Sequence, residues 1–273
     1  MDVVTLKIAT DRSVPRHTRG HAVYYRDEQG RERPVHPSRI AQDGQTMYLY
    51  SAAGRFNFSW NNATGRLWTF PAGTVLFSDG VTPISTSTAQ QPDVIIPAGG
   101  GVVTLQSAAW AGNFTLNDNN TDSGYLGSLA DLPALTNTLD LGGCPLVTGS
   151  LADLPALTYY LNLNSCLLVT GSLADLPPLT YYLGMSGCSL VTGAYTAVSG
   201  ATVPTTTVLT GTGLSATDMD NTLIAYAACT KTGGTFTATG KTRTAASDAA
   251  VTHLTTAIGS GGLGWTVSGI TKV

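Results

Sequence analysis

Residues 127–192 are one phrase written three times: GSLADLPALTNTLDLGGCPLVT (127–148), GSLADLPALTYYLNLNSCLLVT (149–170) and GSLADLPPLTYYLGMSGCSLVT (171–192). The copies agree in length and at nearly every apolar site: Leu132, Leu135, Leu139, Leu141 and Cys144 return as Leu154, Leu157, Leu161, Leu163 and Cys166, then as Leu176, Leu179, Leu183, Met185 and Cys188. In Leu161-Asn162-Leu163 the alternation of an extended chain turns the leucines to one face and the asparagine to the other. One 22-residue unit cannot hide its own leucines, whereas stacked units place like on like and close a continuous core. A degenerate fourth copy follows at Gly193–Leu214, and Phe114–Asn119 reads as an extra strand before the first clean copy.

A fixed period of 20–29 residues carrying L-x-x-L…L-x-L-x-x-[N/C] is the signature of a leucine-rich repeat. After it, Ser215-Ala216-Thr217-Asp218 opens a predicted helix with Met219, Leu223, Ile224 and Ala227 on its apolar face. Thr235–Gly240 then predicts a strand, Ala246–Ile258 a second helix and Gly264–Val267 a last strand. Such an α/β unit is what must cover an otherwise open leucine-lined end. The repeat phrase together with Leu214-Ser215…Met219-Asp220…Gly233-Gly234-Thr235…Leu254…Gly264-Trp265-Thr266-Val267 resembles short leucine-rich repeat proteins whose C-terminal cap ends in "GWTV". The resemblance covers roughly residues 105–270. Proteins of that kind recur among bacteriophage virion and tail-fibre proteins and bacterial surface proteins, and the resemblance implies a binding or display scaffold with no catalytic residues to transfer.

Stacking turns repeated residues into columns. Asp131, Asp153 and Asp175, each in Leu-Ala-Asp-Leu-Pro, would repel one another unless they cap turns through local amides or share a cation; capping suits an Asp before Leu-Pro. Cys144, Cys166 and Cys188 form a second column, read as small buried hydrophobes because three thiols cannot all pair. Neither column has metal-ligand spacing, so no metal and no cofactor are expected. Opposite the leucines lie Thr138/Tyr160/Tyr182, Asp140/Asn162/Gly184 and Gly142/Asn164/Ser186. Tyr160, Tyr182, Asp140, Asn162, Asn164 and Ser186 therefore make the candidate binding face, an aromatic platform beside planar hydrogen-bonding groups of the kind that suits a surface glycan.

Upstream, residues 1–98 read as an all-β domain. Gln45–Tyr50, Arg55–Trp60 and Arg66–Phe70 alternate aromatic and polar residues, and Asn61–Gly65 is expected to join the last two as a hairpin. Val81–Pro97 reads as a linker and Ala98–Gly101 as a hinge or a boundary between rungs. The first 44 residues carry 14 charges and three of the four histidines, as an arm or docking segment would; His21 with Asp27 or Glu28 is the one catalytic-type pairing, and nothing completes a nucleophilic constellation around it. The expected organisation is thus mainly β: an N-terminal all-β domain (1–98), a leucine-rich repeat solenoid (99–214) and a small α/β cap (215–273).

Charge narrows the function. Residues 1–66 carry +4, residues 67–230 carry ten Asp and no Lys or Arg, and residues 231–273 carry +3. A stretch without cations cannot track a phosphate backbone, so nucleic acid is not an expected partner. No run of about 18 apolar residues exists and the start lacks a signal-peptide pattern, so neither membrane insertion nor classical export is expected. The reading that follows is a non-enzymatic structural virion protein of a bacteriophage, as a tail fibre, decoration or adhesion subunit. Its expected partners are other copies of itself and other virion proteins; the alternative is an extracellular or cell-surface filament subunit or adhesin.

Overall fold

The protein is described from a computed structural model covering residues 7–8, 23–26, 32–34, 46–51, 54–60, 67–70, 72–76, 93–98, 100–107, 110, 112–117, 123–125, 127–196 and 203–273. Among the described residues it is mainly β, with one large and mostly parallel sheet and two α-helices. The strands are β1 (Lys7–Ile8), β2 (Val23–Arg26), β3 (Glu32–Pro34), β4 (Thr46–Ser51), β5 (Gly54–Trp60), β6 (Leu67–Thr69), β7 (Val75–Leu76), β8 (Asp93–Ile96), β9 (Gly101–Gln106), β10 (Asn113–Asn117), β11 (Ser123–Tyr125), β12 (Thr138–Asp140), β13 (Tyr160–Asn162), β14 (Gly171–Ser172), β15 (Tyr182–Gly184), β16 (Val191–Thr192), β17 (Thr206–Val208), β18 (Thr235–Arg243) and β19 (Thr266–Lys272). The helices are α1 (Ala216–Ala227) and α2 (Asp248–Thr255).

Ten strands form the large sheet in the order β19-β18-β17-β15-β13-β12-β10-β5-β8-β7, parallel from β19 to β10 and antiparallel from β10 onward. The three clean repeats pair at a strict 22-residue offset, Leu139 against Leu161 and Leu161 against Leu183. The next step is two residues longer, Leu183 against Thr207, so the degenerate copy joins the sheet with a small insertion. One inward column runs Trp60, Phe114, Leu139, Leu161, Leu183, Thr207, Phe236, Val267 through every register pair. Stacking continues away from the strands: Ser128 bridges Thr148, Ser150 bridges Thr170, and β14 pairs in parallel with β16. The apolar residues of the inward column, with Val267 packed against them, belong to one core that extends from Met47 to Trp265, crossing both of the boundaries expected near residues 98 and 214.

A four-stranded sheet, β11-β4-β9-β6, packs beside β5 and β8. Here the expected hairpin between Arg55–Trp60 and Arg66–Phe70 is corrected. β5 lies in the large sheet between β10 and β8, whereas β6 pairs with β9 in the four-stranded sheet. Their aromatics meet across the space between sheets, Trp60 edge-on to Trp68 at 5.1 Å and Phe58 edge-on to Trp68 at 5.5 Å. Alternating aromatics mark strands with a buried face, but they do not say whether two such strands are neighbours or face one another. The expected linker is corrected in part as well. Asp93–Ile96 is strand β8 with Val94 and Ile96 fully buried, and the turn closed by the Gly100 amide on the Pro97 carbonyl leads into β9. The rest of that stretch, 81–92, lies outside the described residues, as do His17, His21, Asp27, Glu28 and His36. Of the polar leader, β1, β2 and β3 form a small antiparallel sheet.

At the other end, α1 starts at Ser215 through a capping box with Asp218, as expected. Its buried face is Met219, Asp220, Thr222, Leu223 and Tyr226, and the expected contribution of Ile224 is corrected: that side chain is exposed. The second helical segment is divided into a 3-10 turn (Ala245–Ser247), α2 and another 3-10 turn (Ile258–Ser260). The last two strands run past their expected ends to Arg243 and Lys272, sharing a register shift between Thr237 and Lys241.

Candidate functional site

Of the candidate binding face, Asp140, Tyr160, Asn162 and Tyr182 lie at the outward positions of the parallel strands, and Asn164 and Ser186 lie in the turns that follow β13 and β15. In each clean repeat the middle residue of the strand is buried and its neighbours take the outward positions half-buried, except Gly184, which is buried under the Tyr182 ring. The register makes the columns explicit: Thr138, Tyr160, Tyr182, Thr206, Thr235, Thr266 in one, and Asp140, Asn162, Gly184, Val208, Thr237, Ser268 in the other.

Parallel pairing sets neighbouring side chains about 4.8 Å apart, which is the distance at which aromatic rings stack. Tyr160 and Tyr182 stack with centroids 4.6 Å apart and planes 15° from parallel. Beside them Tyr159 and Tyr181 stack at 4.8 Å and 4°, with more than two fifths of each side chain exposed. Sequence reasoning passed over this second pair because Tyr159 and Tyr181 precede the strands; their identical place in two consecutive copies was the available signal.

Polar side chains interlock around the rings. Asp140 accepts from the Asn162 side-chain amide at 2.9 Å, the Gly142 backbone amide at 3.0 Å and the Tyr160 hydroxyl at 3.4 Å. Burial pushes the Asp140 carboxyl above the usual carboxylate range, more than these three donors pull it down. Burial, followed by the nearby Asp140 and Tyr182, likewise raises the Tyr160 hydroxyl. One repeat later the Asn162 side-chain oxygen accepts from the Asn164 amide at 3.1 Å, the Asn164 side-chain amide donates to the Tyr182 hydroxyl at 3.3 Å, and the Ser186 amide donates to the Asn164 side-chain oxygen at 2.6 Å. Glycine in the third copy has a steric role, since a Cβ on Gly184 would lie 2.6 Å from the Tyr182 ring. That ring rests on the backbone of its own strand.

The other predicted columns are internal. Asp131, Asp153 and Asp175 each accept from the amide of a serine three residues before (Ser128, Ser150, Ser172) and so close capping boxes on the single 3-10 turns Leu129–Asp131, Leu151–Asp153 and Leu173–Asp175. All four cysteines are buried. The Cys166 and Cys188 thiols donate back to the carbonyls of Leu141 and Leu163, at 3.2 and 3.0 Å. A third ladder went unread from sequence: the Thr158 hydroxyl donates to the Thr136 carbonyl, Thr180 to Thr158, and Thr205 to Thr180, where Lys231 also arrives. Among the described residues no group of three or more His, Cys, Asp or Glu is arranged to hold a metal, and no helix is long and apolar enough to cross a membrane.

Set against protein-family models, curated proteins and solved structures, the chain matches none of them.

Proposed function

We propose that this chain is a non-enzymatic structural protein of a bacteriophage particle, a tail-fibre, decoration or adhesion subunit, whose stacked repeats are a leucine-rich repeat solenoid presenting an outward adhesive face. The observation that carries the reading is the paired tyrosine stack. Four rings, two on strands β13 and β15 and two just before them, are ordered on the outward face by a register that the buried leucines dictate. Aromatic area left in water is seldom needed for folding and is the usual raw material of recognition. The core that runs unbroken from the N-terminal sheets to the cap makes the face rigid, as a displayed surface must be. The phage setting rests on the resemblance of the 22-residue phrase and the Gly264-Trp265-Thr266-Val267 ending. In that setting the basic, histidine-bearing leader (1–44) serves as the docking segment and the cation-free repeats project outward.

Mass spectrometry of purified phage particles that encode the chain tests the placement, with expected recovery of the intact protein. A deletion of residues 1–44 is expected to abolish incorporation and to leave the repeats folded by circular dichroism. Fluorescently labelled full-length chain is expected to bind host bacterial cells. Absence from particles, with secretion into the medium or display on the producing cell, would favour the extracellular filament or adhesin instead. Light scattering then separates these further, a discrete oligomer fitting a fibre and open-ended polymers a filament.

A further inference from the structure

The tyrosine stack ends abruptly, and its two ends differ. Toward the first repeat the tyrosine columns continue as Asn137 and Thr138, and that step is already filled: the Tyr160 hydroxyl reaches across to Asp140, which the Asn162 side chain and the Gly142 amide also hold. Toward the cap the columns continue as Thr205 and Thr206, and the adjoining column falls from Asn162 to Gly184 and then to Val208. Tyr181 and Tyr182 thus stand as a wall, with Tyr159 and Tyr160 stacked on one side and, on the other, Thr205 and Thr206 with Lys231 reaching in to the Thr180 carbonyl beside Tyr181. Beyond the wall the floor is Thr206, Thr235, Thr237 and Ser268, with the last two hydroxyls 3.1 Å apart.

A flat ring set against Tyr182 on that side would occupy the place of a third stacked tyrosine, about 4.8 Å along the sheet. We infer that the step between the Tyr181–Tyr182 wall and the Thr206–Thr235 floor binds a neutral hexopyranose unit of a surface glycan. This rests on the reading of the outward strand face as the adhesive surface, and it adds the ligand class and its seat. The carbon-bound hydrogens of a pyranose face supply the apolar surface that stacks on a tyrosine ring, and its hydroxyls find threonine and serine hydroxyls as both donors and acceptors. The Tyr159–Tyr182 wall lies in the stretch from 67 to 230 that holds ten Asp and no Lys or Arg, so an anionic sugar finds no basic residue on the wall itself; Lys231, beside it, donates to the Thr180 carbonyl at 3.4 Å.

Saturation-transfer NMR on the full-length chain tests the site. The probes are the methyl glycosides of glucose, galactose, mannose and N-acetylglucosamine, with maltotetraose and cellotetraose; 3′-sialyllactose and a sulfated heparin disaccharide serve as anionic counterparts. Saturation is expected on the ring C–H protons of at least one neutral sugar. Tyr182→Ala is expected to weaken it at least tenfold, Tyr181→Ala to weaken it with less risk to folding because that side chain is exposed, and Tyr182→Phe to stay within threefold because the ring remains. Circular dichroism and melting confirm that each variant is folded. Transfer to no neutral sugar, transfer to the anionic probes alone, or transfer unchanged in both alanine variants overturns the assignment, as does loss of self-association in those variants without any sugar signal. Cell binding that persists in folded Tyr182→Ala would remove this site and leave the adhesive reading standing.

Discussion

Thr207 stands in the inward column directly after Leu139, Leu161 and Leu183, and its hydroxyl lies 2.7 Å from the hydroxyl of Tyr226, with neither side chain exposed. A hydroxyl at a leucine position is a buried polar group that must be paired, and helix α1 supplies the partner. The cap is therefore fitted to the repeats by a specific bond as well as by apolar area. Removing either hydroxyl strands the other: Tyr226→Phe or Thr207→Val alone is expected to cost about 1–3 kcal/mol, whereas the double variant costs clearly less than the two together. A double-mutant cycle in urea measures this, and strict additivity would show the contact to be idle.

Asp220 is buried on α1 and accepts from the Thr244 amide at 3.0 Å, the Thr244 hydroxyl at 2.6 Å and the Ser247 hydroxyl at 2.5 Å. Burial alone would raise its pKa, but these bonds, with Arg243 nearby, outweigh burial and hold the carboxyl below its ordinary value. A depressed folded-state pKa means stability that is fully present above the unfolded value of about 3.9 and is lost as pH falls through the folded one. Asp220→Asn is expected to lower stability by about 1–3 kcal/mol at pH 7, and the gap to the parent chain should close below about pH 4. Asp248, exposed and paired with Arg243 and Lys272, titrates in the same direction, so the melts are run in the Asp248→Asn background to isolate Asp220.

How far the fold could be read from the residues depended on where repetition speaks. Between residues 127 and 192, three copies fixed the inward leucines, the capping aspartates and the outward tyrosines, because a period averages away local accidents. Outside that block the same physics is written once. Thr207 replaces leucine after a two-residue insertion, so no periodic rule identifies it as buried until Tyr226 is placed beside it. Val94, Ile95 and Ile96 are three apolar residues at the end of a run rich in Ser, Thr, Gln and Pro, too short a signal to reveal a strand whose neighbours β5 and β7 lie far off in sequence. The Trp60–Trp68 contact shows the complementary limit: local alternation fixes a face, and only tertiary packing decides which strands share a sheet. On the candidate face, the Tyr160/Tyr182 column was legible, but the step beyond Tyr182 depends on register with β17, and the broken period conceals that register.

Gly171 sits at φ +110°, and a Cβ there would lie 2.8 Å from the Leu151 amide nitrogen and 2.7 Å from the Ser150 hydroxyl oxygen, at the point where one repeat rests on the last. The backbone nitrogen cannot move aside without opening the Leu151–Thr170 bond. Gly171→Ala is expected to destabilise the chain by about 2 kcal/mol or more, because forbidden φ and backbone overlap act together. Gly259→Ala, where nothing lies within 4 Å of the added carbon, should stay within about 0.5 kcal/mol of the parent chain. Thermal melts of the pair decide the matter; equal effects would mean that the repeats do not meet at Gly171.

Thiol chemistry reports on the same stack from inside. Burial, followed by the neighbouring Cys144 and Cys188, raises the Cys166 thiol well above its ordinary value, and burial pushes Cys188 up to about 11. Alkylation needs both the thiolate and access, and Cys166 and Cys188 also direct their protons to the carbonyls of Leu141 and Leu163. At pH 8 iodoacetamide is expected to leave Cys144, Cys166 and Cys188 unmodified in the native chain over a period that labels every cysteine in guanidinium, as read by peptide mass spectrometry. Because one core joins the repeats to the cap, any slow native labelling should reach the three column thiols at a common rate, that of the stack opening as a unit. Fast labelling of one column thiol with its two neighbours silent would contradict a continuous column and show that the repeats open one at a time.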